Sequence, residues 1–236
     1  MSDEIEPLLT LLHLADSALP IGGYSHSWGM ETWIQKETIH DFGTAEEAIR
    51  LLLVNSIASQ DGIACGVAYR CARDQDFQKF NLLNEHLSAA KWPPEIYQAS
   101  TRLGQRLLRL ASETNFVASL KGLDQSKNID GAVYSAEEIH HSAVFGWLAA
   151  CAGVSERAAV SAFLQNSSNC LISSCVRLIP LGHTDGQRIT VNLRPLIARL
   201  TEEASSKEMA DMSAFAPLHE GACVAHENLY SRLFQS

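Results

Sequence analysis

The sequence has few of the features by which metal-binding and catalytic proteins are usually recognised. Its six cysteines form no Cys-x-x-Cys pair and its nine histidines show no His-x-x-x-His spacing, so no zinc-type ligand set is indicated. No Gly-Lys-Ser or Gly-Lys-Thr occurs, which argues against a phosphate-binding loop of the nucleotide-binding type. We therefore expect no catalytic residues, no metal ligands and no cofactor bound by this chain itself.

Basic residues are also in short supply. Eighteen Lys and Arg against 27 Asp and Glu give a formal net charge of −9, which disfavours binding to nucleic acids or to anionic membrane surfaces. The longest mostly apolar stretch, residues 142–154, falls well short of the roughly 18 residues that a membrane-spanning helix needs. The acidic N-terminus lacks the basic region of a secretory signal, so we expect a cytoplasmic protein whose partners are other proteins.

Helical spacing of apolar residues dominates the chain. With 46% apolar and 19% charged residues, the composition is that of a globular protein. Apolar residues recur three and four positions apart in segment after segment, separated by short polar turns. We find no internal repeat and no clear linker. The sequence therefore predicts one all-α domain, a helical bundle over residues 1–236 with a C-terminal tail at about 217–236.

Three local signals bear on the helix boundaries. Residues 60–62, Gln-Asp-Gly, interrupt the apolar pattern and predict a break between two helices. Residues 135–138, Ser-Ala-Glu-Glu, have the form of a capping box and predict a helix from there through residue 150. Residues 176–193 flank a turn-like Thr-Asp-Gly-Gln sequence, which is also a β-hairpin signal. We prefer helix there, because helical spacing continues to about residue 204.

The most unusual local run is Gly-Gly-Tyr-Ser-His-Ser-Trp-Gly at residues 22–29. The nucleophile elbow of a hydrolase needs Gly-x-Ser-x-Gly after a strand, whereas Ser25 is followed by His26 and Ser27 and is preceded by a helical pattern. A serine hydrolase built on Ser25 is one alternative. We interpret the histidines as helix-end or surface imidazoles. Folding could still gather some of them with Cys or Glu side chains, so a metal-binding protein is a second alternative.

Four blocks, spread from one end of the chain to the other, carry a family resemblance. Residues 11–31 read Leu-Leu-His-Leu-Ala-Asp-Ser-Ala-Leu-Pro-Ile-Gly-Gly-Tyr-Ser-His-Ser-Trp-Gly-Met-Glu. Residues 140–146 read His-His-Ser-Ala-Val-Phe-Gly, and residues 177–182 read Arg-Leu-Ile-Pro-Leu-Gly. Residues 226–236 read His-Glu-Asn-Leu-Tyr-Ser-Arg-Leu-Phe-Gln-Ser. In this order the blocks resemble those of the UreF family of urease accessory proteins. Residues 88–95 differ from the family pattern, because they lack the Arg- and Glu-rich sequence that is common in relatives.

The resemblance implies an all-α fold of about ten helices and a homodimer without hydrolytic activity. Members of the family bind the accessory protein UreD, called UreH in some species, and that pair recruits the nickel-carrying GTPase UreG to apo-urease. On this resemblance we expect an adaptor that supports nickel insertion, with nickel handled by the assembly and not clearly bound by this chain. The alternative is a chaperone that binds nickel directly through His and Cys ligands.

The resemblance also implies where partners bind near the N-terminus. We hypothesise that the conserved glycine-rich face contacts the GTPase, because glycines let the backbone approach closely and a tyrosine offers an amphipathic anchor. The residues of this face are Gly22, Gly23, Tyr24 and Ser25. A loop that only positions the second helix is the alternative. Glu31 and Arg177 match charged positions near this surface, where they tune docking of the GTPase or pair with other charges.

The C-terminal tail is the second expected partner surface. The resemblance implies that this tail becomes ordered on binding UreD/UreH, a coupled folding event. The residues that we expect to bind are Tyr230, Arg232, Leu233 and Phe234. Packing of the tail on its own domain is the alternative, since termini otherwise fray.

Overall fold

The structure is a computed structural model. It describes residues 5–23, 26–117, 120, 122–123, 138–214 and 216–226. Within these ranges the regular elements are helices joined by short connections, and no β-strand occurs among them. The predicted all-α class is confirmed.

Ten α-helical segments are present in the described parts of the chain. They are α1 Ile5–Leu14, α2 Met30–Gln35, α3 Phe42–Leu52, α4 Ile63–Asp74, α5 Phe77–Ala90, α6 Pro94–Thr114, α7 His141–Cys151, α8 Glu156–Leu178, α9 His183–Ser205 and α10 Pro217–His226. A π-helical segment, Leu53–Gly62, joins α3 to α4, and a short 3₁₀ turn, Met209–Asp211, follows α9.

The predicted break at residues 60–62 is wrong, because the π-helical segment carries the chain through it as one helix from Phe42 to Asp74. Gly62 has ordinary right-handed helical angles, φ −64° and ψ −45°. A Cβ on Gly62 would lie 3.3 Å from Leu164 Cδ2 and 3.5 Å from the Ala204 Cβ. This glycine therefore allows close packing of the helix against α8 and α9 and does not end it.

This long helix is apolar enough, by length and composition alone, to cross a membrane. Yet 61% of its most apolar window is buried inside the fold, which is typical of a core helix.

Helix α7 lies at the centre of the fold. Every residue from Ser142 to Ala150 is buried. A Cβ on Gly146 would collide with the backbone of Cys65, so α7 and α4 pack with their main chains in close approach. The Trp147 side chain is fully buried, and its indole N–H donates to the Leu120 carbonyl at 2.9 Å. Close packing of small residues around one large aromatic explains why α7 carries no polar face.

Two further boundary predictions can be compared with the structure. Helix α7 begins at His141, with His140 as its N-cap in extended backbone, so the predicted start at residues 135–138 is wrong at Glu138; residues 135–137 lie outside the described ranges. Between residues 176 and 193, α8 ends at Leu178 and α9 begins at His183. The preference for helix over a hairpin is confirmed there, since the turn-like sequence forms the first turns of α9.

Candidate functional site

The glycine-rich loop before α2 takes backbone conformations that require glycine. Gly22 has φ +86° and Gly29 has φ +77°, both in the left-handed region. A Cβ added at Gly23 would meet nothing within 4 Å, so the backbone there faces open space. Tyr24 and Ser25, the other two residues of the predicted face, lie outside the described residues.

Helix α10 packs directly on this loop and on α2, although the two lie at opposite ends of the chain. The Thr32 hydroxyl donates to the Ala222 carbonyl at 2.9 Å, and His219 Nε2 donates to the Trp28 carbonyl at 2.8 Å. A Cβ on Gly29 would lie 2.8 Å from Cys223 Sγ. Burial lowers the pKa of His219, which favours the neutral imidazole that donates through one nitrogen.

A fully buried imidazole fastens the end of α10. His226 Nε2 lies 3.1 Å from Glu31 Oε2, and His226 Nδ1 lies 3.1 Å from Glu95 Oε2. Both ring nitrogens of His226 lie within hydrogen-bond distance of carboxylate oxygens. Helix α10 is thereby tied to α2 through Glu31 and to α6 through Glu95. We call the loop at residues 20–29, α2 and α10 the terminal corner.

Glu31 was predicted as a partner-binding residue that tunes docking or pairs with other charges. In the structure Glu31 is only 1% exposed, and its carboxylate pairs with His226. A buried carboxylate acts on a partner through the elements it positions and not by direct contact. Of the two predicted roles for Glu31, the geometry favours charge pairing within the chain.

Arg177 lies in the last turn of α8, where its guanidinium is exposed and donates to the carbonyl and hydroxyl of Ser173. Ser174, in the same turn, donates from its hydroxyl to the His26 carbonyl at 3.4 Å. The C-terminal end of α8 therefore lies against the loop of the terminal corner. Arg106 fixes the start of that loop from α6, by donating to the Ile21 carbonyl at 3.1 Å.

A cavity of about 100 Å³ lies beside the terminal corner and is lined in part by Trp28, His141 and His219. Its polar wall contains a buried ion pair, in which the Lys91 ammonium lies 2.8 Å from Asp61 Oδ2. Burial alone would raise the pKa of Asp61, but the Lys91 charge, with hydrogen bonds from Lys91 and Ser142, outweighs this effect and lowers it. Lys91 and Glu95 both come from residues 88–95, which end α5 and begin α6.

The histidines at the start of α7 are neutral in this environment. Burial lowers the pKa of His140 to about 3 and the pKa of His141 to about 4. His140 is satisfied by the hydroxyls of Ser88 and Ser100, both at 3.0 Å, whereas His141 Nε2 has no hydrogen-bond partner. Of the predicted helix-end or surface positions, His140, His219 and His226 occupy the helix-end one, and all three are buried.

No three His, Cys, Asp or Glu side chains in the described ranges are arranged to hold a metal ion. Burial raises the pKa of the thiols, to about 12 for Cys175 and to about 11 for Cys170. Protonated thiols are poor metal ligands. Both nitrogens of His226 are engaged by carboxylates. The buried cysteines therefore contribute to packing, and His226 docks α10 on the fold.

The structure brings together some of the predicted site residues. Gly22, Gly23 and Glu31 lie in the terminal corner, and Arg177 is on the helix end beside it. The four predicted residues of the tail, Tyr230, Arg232, Leu233 and Phe234, lie outside the described residues. For residues 217–226 the alternative of packing on the chain's own domain is the one observed.

Sequence reasoning missed the inner face of α10. His219, Cys223 and His226 recur at positions i, i+4 and i+7, which places all three on one side of a helix. Treating each histidine as isolated hid this pattern. The partners of His226, Glu31 and Glu95, had no signal in the sequence.

Comparison with known proteins identifies the family. Residues 39–194 match the UreF family. The chain belongs to the UreF family. It is 31% identical over 231 residues to the urease accessory protein UreF of Geobacillus kaustophilus, covering 98% of this chain and 99% of that protein. UreF of Bacillus sp. TB-90 is 32% identical, covering 97% of this chain and 99% of that protein. UreF of Haemophilus influenzae strain PittGG is 29% identical, covering 100% of this chain and 98% of that protein.

The segment matched to UreF, residues 39–194, contains α3 to α8 and the first half of α9. The whole of the terminal corner lies outside this segment, with the loop and α2 before it and α10 after it. The full-length relatives extend the similarity to both ends of the chain, and therefore include α1, α2 and α10. The chain is thus similar to urease accessory proteins over the whole of its fold.

Proposed function

We propose that this UreF-family chain is an adaptor in urease maturation. It holds the accessory protein UreD/UreH and recruits the nickel-carrying GTPase UreG to apo-urease, so that nickel can be inserted. The observation that carries the proposal is the terminal corner, where the glycine-rich loop and α10 meet through Thr32, His219 and His226. A partner that binds the loop and a partner that binds the C-terminal tail would therefore bind side by side.

Within this proposal the residues of the corner have separate roles. Gly22 and Gly23 allow a partner backbone to approach, and Tyr24 anchors it. Glu31 positions α10 through His226 and does not touch the partner. Arg177 offers an exposed guanidinium on the neighbouring helix end. Residues 227–236 follow His226 directly in the sequence, and Tyr230, Arg232, Leu233 and Phe234 are the residues of this tail that we propose bind UreD/UreH.

We further propose that the chain acts as a homodimer in the cytoplasm and makes or breaks no covalent bond. The hydrolase alternative needs a strand before Ser25, whereas the segment leading to the loop is helix α1 followed by turns. Without a strand-to-helix elbow, a serine in this loop has no scaffold that would present it to a base and an oxyanion hole.

A directly nickel-binding chaperone is the second candidate, and one observation favours it. His141 Nε2 lies in the wall of the cavity without a hydrogen-bond partner, close to the Asp61–Lys91 pair. Two observations favour the adaptor instead. The buried thiols are protonated, and both ring nitrogens of His226 contact carboxylates, so neither is available to bind nickel. Titrating nickel into the isolated wild-type chain and into His141→Asn separates the two. Tight binding that is lost in the variant would favour the chaperone.

The adaptor role is tested by co-expressing the chain with UreD/UreH, UreG and apo-urease from one source and measuring nickel-dependent urease activity. We expect activity to vanish when the chain is omitted. A chain ending at His226 keeps α10 but lacks the tail, so it should fold normally and fail to capture UreD/UreH. The conservative variant Arg232→Lys serves as the control. Urease activity that does not depend on the chain would refute the adaptor role.

A further inference from the structure

Helix α1 presents an apolar stripe to solvent. Ile5, Leu8, Leu9 and Leu12 are between 53% and 60% exposed. They occupy positions i, i+3, i+4 and i+7, so they form one continuous face of the helix. We call these four side chains the outer stripe.

The outer stripe is a cluster, whereas other large exposed apolar side chains occur singly or in pairs on their elements. Examples are Leu51 on α3, Leu82 on α5 and Val191 on α9. A single exposed leucine is normal on a protein surface, but a contiguous apolar patch marks an interaction site. The opposite side of α1 already packs on the core through Leu11 and Leu14. Helix α1 is therefore docked by one face and apolar on the other.

The chain segment that carries the outer stripe contains no Lys or Arg. Lys36 is the first basic residue of the chain, apart from histidine, and residues 1–35 contain five Asp or Glu. Glu6 lies in the first turn of α1 and is exposed, and Asp16 is exposed just after the helix. An apolar stripe bordered by carboxylates is complementary to an apolar groove bordered by Lys and Arg.

We propose that the outer stripe of α1 is a docking surface for a partner protein with an apolar groove flanked by basic side chains. In this binding mode an amphipathic helix lies in a groove of its partner, and the side chains at positions i, i+3, i+4 and i+7 contact the groove. This inference rests on the proposed adaptor function and adds a contact surface to it. Helix α1 packs on α7 and α8, whereas α10 packs on α2 and α6.

The same charges argue against two other occupants. Two copies of the chain packed through α1 would bring Glu6 and Asp16 toward their own counterparts, and like charges at an interface oppose association. An anionic membrane would likewise repel a segment that has no Lys or Arg in its first 35 residues. A basic-rimmed protein groove is the occupant that satisfies both the apolar stripe and its border.

The test uses the full-length chain with purified UreD/UreH, UreG and apo-urease, and measures the affinity for each partner by calorimetry. In Leu8→Ser/Leu12→Ser we expect at least a tenfold loss of affinity for one partner, because two half-exposed anchors are removed. The control Leu51→Ser/Leu82→Ser removes two leucines elsewhere that are also about half exposed, and it should change affinity less than twofold. Glu6→Lys should weaken the same interaction several-fold at low salt and less at high salt.

Circular dichroism and thermal melting check that the stripe variants fold, and Leu8→Met/Leu12→Met, which keeps the apolar surface, should retain binding. Unchanged affinity of Leu8→Ser/Leu12→Ser for every partner that the wild type binds would overturn the inference. So would a shift of the isolated chain's dimerisation, or of its binding to phosphatidylglycerol vesicles, with partner affinities unchanged. A wild type that binds none of the three partners would refute the adaptor function itself, and the inference with it.

Discussion

Helices α1 and α7 are the two short apolar helices of the described chain, and the fold treats them in opposite ways. In α7 every residue from Ser142 to Ala150 is buried, whereas α1 buries Leu14 and leaves four large apolar side chains half exposed. Composition does not separate the two. The difference lies in their neighbours, since α7 is enclosed by α4, α6 and α8 and α1 has neighbours on one side. An apolar helix is thus a core element or a binding element according to where the fold places it.

The largest expected effect comes from breaking the packing of α7. Trp147→Ala should lower the free energy of unfolding by about 3–5 kcal/mol, because a large aromatic leaves a cavity between tightly packed helices. Urea denaturation at pH 7.5 measures it. Trp147→Phe, which keeps most of the apolar volume but leaves the Leu120 carbonyl unpaired, should cost about 1–3 kcal/mol. Equal stability of Trp147→Ala and the wild type would contradict the central position of α7.

The next largest effect is expected in α10. The contacts of His226 with Glu31 and Glu95 hold this helix on the fold, whereas apolar contacts hold α1. His226→Ala leaves the buried carboxylate of Glu31 without its imidazole partner, and leaving a buried polar group unpaired costs about 1–3 kcal/mol. We expect α10 to detach while the core stays folded, so that much of this cost appears as local opening. Hydrogen exchange should show lost protection in residues 217–226.

In the same experiment α7 should keep its protection, which serves as the internal control. His226→Ala combined with Glu31→Gln should recover part of the loss, since the buried carboxylate is then neutral. Undiminished protection of α10 in His226→Ala would show that the two carboxylate contacts do not fasten this helix.

Lowering the pH should have a smaller effect on the free energy of unfolding. His140 and His141 stay neutral in the folded chain down to about pH 3 and pH 4, whereas the ordinary histidine value is 6.5. Between pH 6.5 and these lower values, the unfolded state binds more protons than the folded state. The free energy of unfolding is therefore highest above about pH 6.5 and decreases as the pH is lowered. Each histidine contributes about 1.4 kcal/mol per pH unit. Urea denaturation at pH 7.5, 6.5 and 5.5 measures the slope.

Removing one of these histidines sharpens the acid prediction. His141→Asn should give a shallower dependence of stability on pH than the wild type below pH 6.5, even if its stability at pH 7.5 differs. The wild type and the variant would have the same slope if burial did not hold His141 in its neutral form, and that result would contradict the prediction.

The smallest effect is expected in the outer stripe. Leu9→Ser should change the free energy of unfolding by less than about 0.5 kcal/mol, because the side chain is half exposed and already in contact with water. Leu14→Ala, on the buried side of the same helix, should cost about 2 kcal/mol or more. Thermal melting of the two variants measures the difference. A large loss of stability in Leu9→Ser would mean that the outer stripe is covered within the chain.

Some of the fold could be predicted from local pattern. Helix caps such as Ser155 before α8, and Pro94 at the start of α6, act within one turn of the chain and are legible in the sequence. Residues 60–62 misled prediction because Gly62 meets Leu164 and Ala204, which are more than a hundred positions away. A glycine that permits helix packing and a glycine that ends a helix look alike until the neighbouring helix is known.

The candidate site, too, could be predicted from the sequence only in part. The glycine-rich loop stands out in the sequence, because positive φ angles at Gly22 and Gly29 select a residue type. The inner face of α10 was available from the spacing of His219, Cys223 and His226. The contacts of His226 with Glu95 and Glu31 span 131 and 195 positions, and no local rule encodes such a pairing.

The sequence by itself determined that the chain is helical and acidic, and that it belongs to the UreF family, because these follow from residue types and their order. The tertiary structure decided which apolar helix is enclosed and which faces outward, and that α10 packs on α2 and the loop before it. Burial and charge pairing depend on which surfaces lie against each other. That arrangement is fixed only when the whole chain has folded, since each helix is covered by residues distant in sequence.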